Sequence, residues 1–288
     1  MDWLYKFPFE IKINLKAIDD SIRAFSVKHD AFFGFFRSLL QNFVNGIQTF
    51  LNYIPWFVLL ILVFLATWKL LGKASKGLVY AGLMFLIGAV GYWDMMYETL
   101  SMIIASVIIS LILGFPIGIL VSASDKADDI IRPILDTMQT MPVFVYLIPA
   151  LLFFGLGKAP GVIATTIYAI VPMIRLTNHG IRQIDREIVE ASLSFGSTWL
   201  QSLVKVQIPQ ALPTIMAGVN QTLMMAISMV VTTSMIGVRG LGLEVLNGVN
   251  KIEMARGLLS GTAVVIIAVI LDRLTQGLVS RSEVTSDE

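Results

Sequence analysis

Residues 99–124 read TLSMIIASVIISLILGFPIGILVSAS, with no Asp, Glu, Lys or Arg anywhere in the run. The core of a soluble domain meets charge every few residues, whereas a membrane-spanning helix needs about 20 mostly apolar residues. The run is continuously apolar instead of alternating, which favours a helix over a barrel strand. Further charge-free runs occupy 38–68, 77–93, 137–157, 159–174, 206–238 and 257–271. The whole chain of 288 residues is 56% hydrophobic and only 14% charged, against about 25% charged in a soluble domain. Its mean hydropathy is +0.79. These observations predict an all-α membrane protein.

Spans fall at about 54–71, 77–95, 98–122, 137–156, 160–178, 212–237 and 257–279, about seven in all. An odd number puts the two ends on opposite sides. Lys69, Lys73, Lys76, Lys126, Arg132, Arg175, Arg182, Arg186, Lys205, Arg273 and Arg281 fall on one side, which the positive-inside rule makes the cytoplasm. The C-terminus is then cytoplasmic and the N-terminus outside. Arg239, Lys251 and Arg256 in the 238–256 loop weaken this bias without reversing it. Tyr92, Trp93 and Tyr97 stand where an outer aromatic belt belongs.

The remaining bulk features exclude several classes. Net charge is +1, which gives no case for nucleic acid. Cysteine is absent, and His29 and His179 stand far apart, so no metal site is expected. Asp2, Glu10, Asp19 and Asp20 argue against a cleaved signal peptide. Ile11, Leu15, Ile18, Ile22 and Phe25 recur at helical spacing among charged residues, and Phe32, Phe36, Leu39, Leu40, Phe43, Ile47 and Phe50 repeat the theme. The expected organisation is an extracytoplasmic amphipathic region over 1–52, lying in the membrane interface. A transmembrane domain over 53–280 with a cytoplasmic loop at about 179–211 follows, then a short polar cytoplasmic tail over 281–288.

The loop is the most informative segment. Residues 175–213 read RLTNHGIRQIDREIVEASLSFGSTWLQSLVKVQIPQALP. Ile184, Ile188, Ala191 and Phe195 share one helical face. Gly196 suits a left-handed helix stop, and an Asp there is expected to obstruct the turn. Thr198 and Gln201 resemble a capping box that starts a second helix. Pro209 and Pro213 mark re-entry into the membrane.

This pattern resembles the cytoplasmic motif of binding-protein-dependent ABC importer permeases: Glu-Ala-Ala, three residues, Gly, nine residues, Ile, any residue, Leu-Pro. Glu190, Ala191, Ser192, Gly196, Val206, Ile208 and Pro209 fall on that spacing, with Ser for the second Ala, Val for Ile and Ile for Leu. The stretches 134–157, 175–183, 194–198, 215–231 and 234–242 are similar to the glycine betaine/proline betaine subgroup. The resemblance implies the type I permease fold, with the loop at Glu190, Ala191, Ser192, Gly196, Ile208 and Pro209 docking an ATPase. It also implies two ATP-binding subunits, a second copy of the permease and an extracytoplasmic substrate-binding protein, moving a quaternary-ammonium or proline-type osmolyte. The same machinery serving another small solute, such as an amino acid or taurine, is the alternative, and an ATP-independent secondary transporter is a more distant one.

The chain itself is not expected to be an enzyme. A phosphate-cradling loop reads G-x-x-x-x-G-K-[ST], but Gly72-Lys73 and Gly157-Lys158 are each followed by Ala. No cofactor is expected on this chain, with ATP and Mg held by the partner ATPase.

Polar groups inside spans are costly and mark pathways. The candidates are Gln139, Thr140, Met141, Pro142, Tyr146, Asn220, Gln221 and Met224. Interhelical hydrogen bonding is the competing explanation for the amides, and core filling for the methionines. Tyr146 and Tyr168 are the only tyrosines or tryptophans in spans three to six, so no tight aromatic cluster is expected and the passage should bind its solute weakly.

Overall fold

The computed structural model describes residues 14–284, with side-chain surroundings up to residue 278. Ile11, the rest of residues 1–13 and residues 285–288 of the expected tail lie outside the described residues. The elements are α1 (Leu15–Lys28), α2 (Asp30–Tyr53), α3 (Trp56–Leu71), α4 (Ala74–Ala89), α5 (Trp93–Ser122), α6 (Asp125–Thr140) and α7 (Phe144–Phe154). They continue with α8 (Lys158–Arg182), α9 (Arg186–Ser194), α10 (Trp199–Ser202), α11 (Ile208–Thr232), α12 (Leu241–Lys251) and α13 (Met254–Val284). Among the described residues there is no strand.

The deepest helix is α8, flanked by α5 and α11. Its apolar window is 67% buried, whereas that of α13 is 22% buried and faces outward. Glycines let the three helices approach closely, the usual device where lipid is as apolar as the side chains. A Cβ on Gly118 of α5 would lie 2.6 Å from Thr177 Cβ and 2.9 Å from the Ile174 carbonyl, both on α8. Gly114 meets Met173, Gly180 meets Thr214, and Gly218 meets Leu176, each at 3.0–3.1 Å from the built Cβ. Pro116 sits inside α5 between Gly114 and Gly118.

Each expected span contains a helix, but among the described residues four helices are long and apolar enough to cross a membrane, or up to six if two bent pairs are each counted as one span, with α4 a shorter apolar helix. The expected span over 137–156 is the main correction. It belongs to two helices, α6 and α7, that meet at 90°. Pro142 is the cause: it lacks an N–H and disfavours helical geometry in the residue before it, and Met141 adopts φ −67, ψ 130. Only 11 residues remain in α7, about 16 Å at 1.5 Å per residue.

At the other break, α2 and α3 meet at 94° around Pro55. One face of α2 is buried through Val44 and Leu51, while Phe32, Phe35, Leu39 and Phe50 are exposed. The hairpin α3–α4 turns at Gly72, which takes a left-handed conformation. The loop at 238–256 holds a helix the sequence reading does not include, α12. Its Leu241 N–H donates to Thr99 Oγ1 of α5 at 2.9 Å, and Gly248 packs against Gly257 at the start of α13.

The α5–α8 contact sets a test. Gly118→Leu overpacks a backbone contact and should cost about 1–3 kcal/mol, read as a lower melting temperature of the detergent-solubilised protein. Gly82→Ala, where a Cβ meets nothing within 4 Å, should leave the melting temperature unchanged or slightly raised.

Candidate functional site

The loop after α8 forms two short arms. Asp185 caps α9, its carboxylate accepting from the Glu187 N–H at 2.9 Å. The helix ends in paired bonds: the Gly196 N–H donates to the Leu193 carbonyl at 2.9 Å, and the Ser197 N–H to the Ser192 carbonyl at 3.3 Å. This is the Schellman arrangement, with glycine at the left-handed position, and Gly196 has φ +87. A Cβ at Gly196 meets nothing within 4 Å. The expectation that a larger side chain obstructs the turn is therefore corrected: the constraint is the backbone angle, not space.

The second arm starts at the expected capping box. The Thr198 N–H donates to Gln201 Oε1 at 2.9 Å, and the Gln201 N–H donates to Thr198 Oγ1 at 3.3 Å. A π-helical turn over Leu203–Gln207 then joins α10 to α11, with Pro209 in the first turn of α11. Ser202 ties the arms together, sharing a 2.7 Å hydrogen bond with Ser192 of α9 and accepting from Gln207 Nε2 at 3.3 Å. The serine that replaces an alanine in the motif thus supplies a cross-link.

Burial separates an anchored arm from a displayed one. Leu203 and Ile208 pack with Ile181, Ala211 and Ile215 beneath the loop. No residue of α9 is buried. Glu190, Ala191, Gly196 and Pro209 are exposed, and Ser192 and Ile208 are half-buried. Ile184 lies before the Asp185 cap and packs on the underlying cluster, so it does not share the α9 face expected for it. Phe195 is 92% exposed, and Trp199 and Leu200 are also exposed. These exposed apolar side chains on a polar loop leave a surface that water solvates poorly.

The sequence reading also missed an ionic lattice between α6 and α8. Arg182 bonds Asp125 at 2.6 Å, and Arg175 bonds Asp136 at 2.5 Å. Buried Asp128 accepts from Asn178 at 2.7 Å and from Arg132 at 2.8 Å. Of these groups all but Asp125 line a cavity of about 320 Å³. The signal was present as acids recurring along α6, but the arginines read only as markers of orientation.

The candidate pathway residues divide. Asn220 donates to Asp272 Oδ1 of α13 at 3.0 Å and accepts from Thr275, while Gln276 also binds Asp272 at 2.8 Å. It is an interhelical tie. Gln221 and Met224 instead share an exposed face of α11 with Ala217 and Ser228. At the α6–α7 break Gln139 is half-buried, Thr140 and Pro142 are exposed, and Met141 packs on the main core. Tyr146 is buried and shares that core with Leu223 and Ile227 of α11.

The family of binding-protein-dependent transport system inner membrane components matches residues 107–283, which include α6 to α12, the loop and most of α5 and α13. The chain belongs to this family. It is 46% identical over 250 residues to the glycine betaine transport system permease protein OpuAB of Bacillus subtilis (strain 168), covering 86% of this chain and 88% of that one. It is 46% identical to the glycine betaine/proline betaine transport system permease protein ProW of Escherichia coli (strain K12), covering 84% and 68%. The trimethylamine N-oxide transport system permease protein TmoV of Ruegeria pomeroyi is 35% identical, covering 78% and 34%. In fold, the chain resembles the inward-facing MetNI methionine ABC transporter, with TM-score 0.56 and 23% identity over 69% of this chain and 95% of that one. This inner membrane component is therefore an all-α, multi-pass permease of the ABC importer type.

Beyond α11, a second polar knot holds α12 of this permease to α13. Arg256 donates to buried Glu244 at 2.6 Å and to Glu253 at 3.0 Å. The Arg256 hydrogen bond holds the Glu244 carboxyl below its ordinary value of 4.5. The unfolded chain then takes up the proton first, so the contribution is full above pH 4.5 and is lost as pH falls through the lowered folded value. Wild type should exceed Glu244→Gln in thermal stability at pH 7 by about 1–3 kcal/mol. The gap should shrink in melts run progressively below pH 4.5.

Proposed function

We propose that this permease is the transmembrane subunit of an ATP-driven importer that takes up glycine betaine or a related quaternary-ammonium or proline-type osmolyte. The coupling loop carries the reading of an ATP-driven machine. Glu190, Ala191 and Gly196 stand on an exposed arm beside a bare Phe195, while Leu203 and Ile208 root the other arm in the bundle. A partner that pushes on α9 moves α8 and α11 together. The substrate class rests on the 46% identical relatives, named for glycine betaine and proline betaine transport. The 35% identical trimethylamine N-oxide permease favours methylated amines over ordinary amino acids.

In this assembly two ATP-binding subunits, holding ATP and Mg, sit under two copies of the permease, and an extracytoplasmic binding protein delivers the solute. In this reading the loop and the C-terminus face the cytoplasm and the N-terminus faces outside, an orientation that the Lys and Arg distribution favours and that needs the shorter apolar helix α4 to cross as a seventh span. The described part of the N-terminal region, residues 14–52, then lies along the outer interface, which the exposed aromatic face of α2 suits. The face of α11 bearing Gln221, Met224 and Ser228 lines the passage, because polar side chains cannot face lipid at low cost. Asn220 contributes through α13.

Proteoliposomes holding the permease, its ATPase and its binding protein should accumulate labelled glycine betaine only with ATP inside. Uptake that runs without ATP and collapses with the ion gradient would refute the reading. Gly196→Val, a β-branched residue at φ +87, should cut uptake at least tenfold while membrane abundance holds. Gly196→Asn, which tolerates the left-handed region, should keep most of the rate.

A further inference from the structure

Tyr146 and Tyr168, on α7 and α8, have ring centroids 6.2 Å apart at an interplanar angle of 33°. Beside Tyr146 an apolar groove of about 240 Å³ runs between the same helices, walled by Tyr146, Phe153 and Phe154 with Ile163 and Ile167 opposite. Phe33 of α2 stacks on Phe153 at 4.8 Å and meets Phe154 edge-on at 5.5 Å. The N-terminal helices thus orient two of the aromatic walls. Every side chain lining the groove except Tyr146 is apolar. Tyr146 is 9% exposed, and its hydroxyl is buried with no hydrogen-bond partner among the described residues. A buried hydroxyl left unpaired is costly, and phenylalanine would fill the same space without that cost.

We infer that this groove is a resting station for the trimethylammonium head of the transported amine, with Tyr146, Phe153 and Phe154 as its aromatic walls. The inference rests on the substrate class given under Proposed function. A trimethylammonium has no N–H to donate, so a carboxylate offers it no hydrogen bond, whereas aromatic faces attract it and replace its hydration. Tyr168 is too close to Tyr146 for a methylated head to enter between them, so it braces Tyr146 in place. The Tyr146 hydroxyl, buried and unpaired among the described residues, has to be uncovered as the solute enters, and it then donates to the solute's carboxylate and sets its direction. The absence of an acid from the lining keeps the station weak enough to release its cargo, as any passage requires.

The test uses the complete transporter in proteoliposomes and reads initial uptake of labelled glycine betaine. Position 146 is replaced by Phe and then by mono-, di- and trifluorinated Phe, with membrane abundance measured for each. Fluorine drains the ring face of negative potential while barely changing its shape. Uptake should fall stepwise along the series, by roughly tenfold at the end, and Tyr146→Phe should already lie below wild type. The same fluorination at Phe153 should give a fall in the same direction, a readout that loss of packing does not produce. Wild-type uptake with a flat fluorine series would overturn the station and leave the transport function standing. A wild type that imports no quaternary amine would overturn both.

Discussion

The contact between α8 and its two flanking helices is the constraint on which the rest depends. Lipid supplies no hydrophobic drive between helices, so association relies on close packing. Glycines at 114, 118, 180 and 218 make that approach possible. With α8 seated this way, its cytoplasmic end has a defined place, and the loop that follows it has a rigid base. The other end of α8 is equally determined: Gly155 and Gly157 turn the chain out of α7, and Lys158 bonds Asn45 and Gln48 of α2 at 2.7 and 2.5 Å.

The loop is built to be stiff within itself and bare on one side. Its two caps, the serine cross-link and the π-helical turn satisfy the backbone groups that two short helices would otherwise leave open. The displayed arm buries none of its own side chains, so its apolar residues are free for a partner. The anchored arm is continuous with α11, whose exposed polar face is the proposed passage. From Trp199 the chain runs through α10 and the π-helical turn into α11 without leaving helical geometry.

The ionic lattice on α6 occupies the same end of the bundle. It ties an amphipathic helix to α8 through groups that are mostly exposed, where each pair is worth little and salt screens it. The apolar α5–α8 contact, by comparison, is nearly insensitive to salt.

Much of this was legible in the chain itself. Long charge-free runs dictated membrane helices, because no soluble fold can hide so many uncharged residues in a row. The loop stood out by polarity, and its spacing from Glu190 to Pro209 marked the family. Gly196 and Thr198 announced their caps because both are local geometry. Pro142 was visible, but its effect was not, since a proline can kink, break or pass unnoticed depending on its neighbours, and here it divides the expected fourth span. Tertiary structure alone decided the rest. It paired Asn220 with Asp272 and left Gln221 open, though the two are adjacent in sequence. It brought Asp125, Asp128 and Asp136 to the arginines of α8, and it set Tyr146 beside Tyr168 and Phe153 beside Phe33. These are contacts between distant segments, made by the way helices cross, and helical periodicity carries no information about which helix lies opposite.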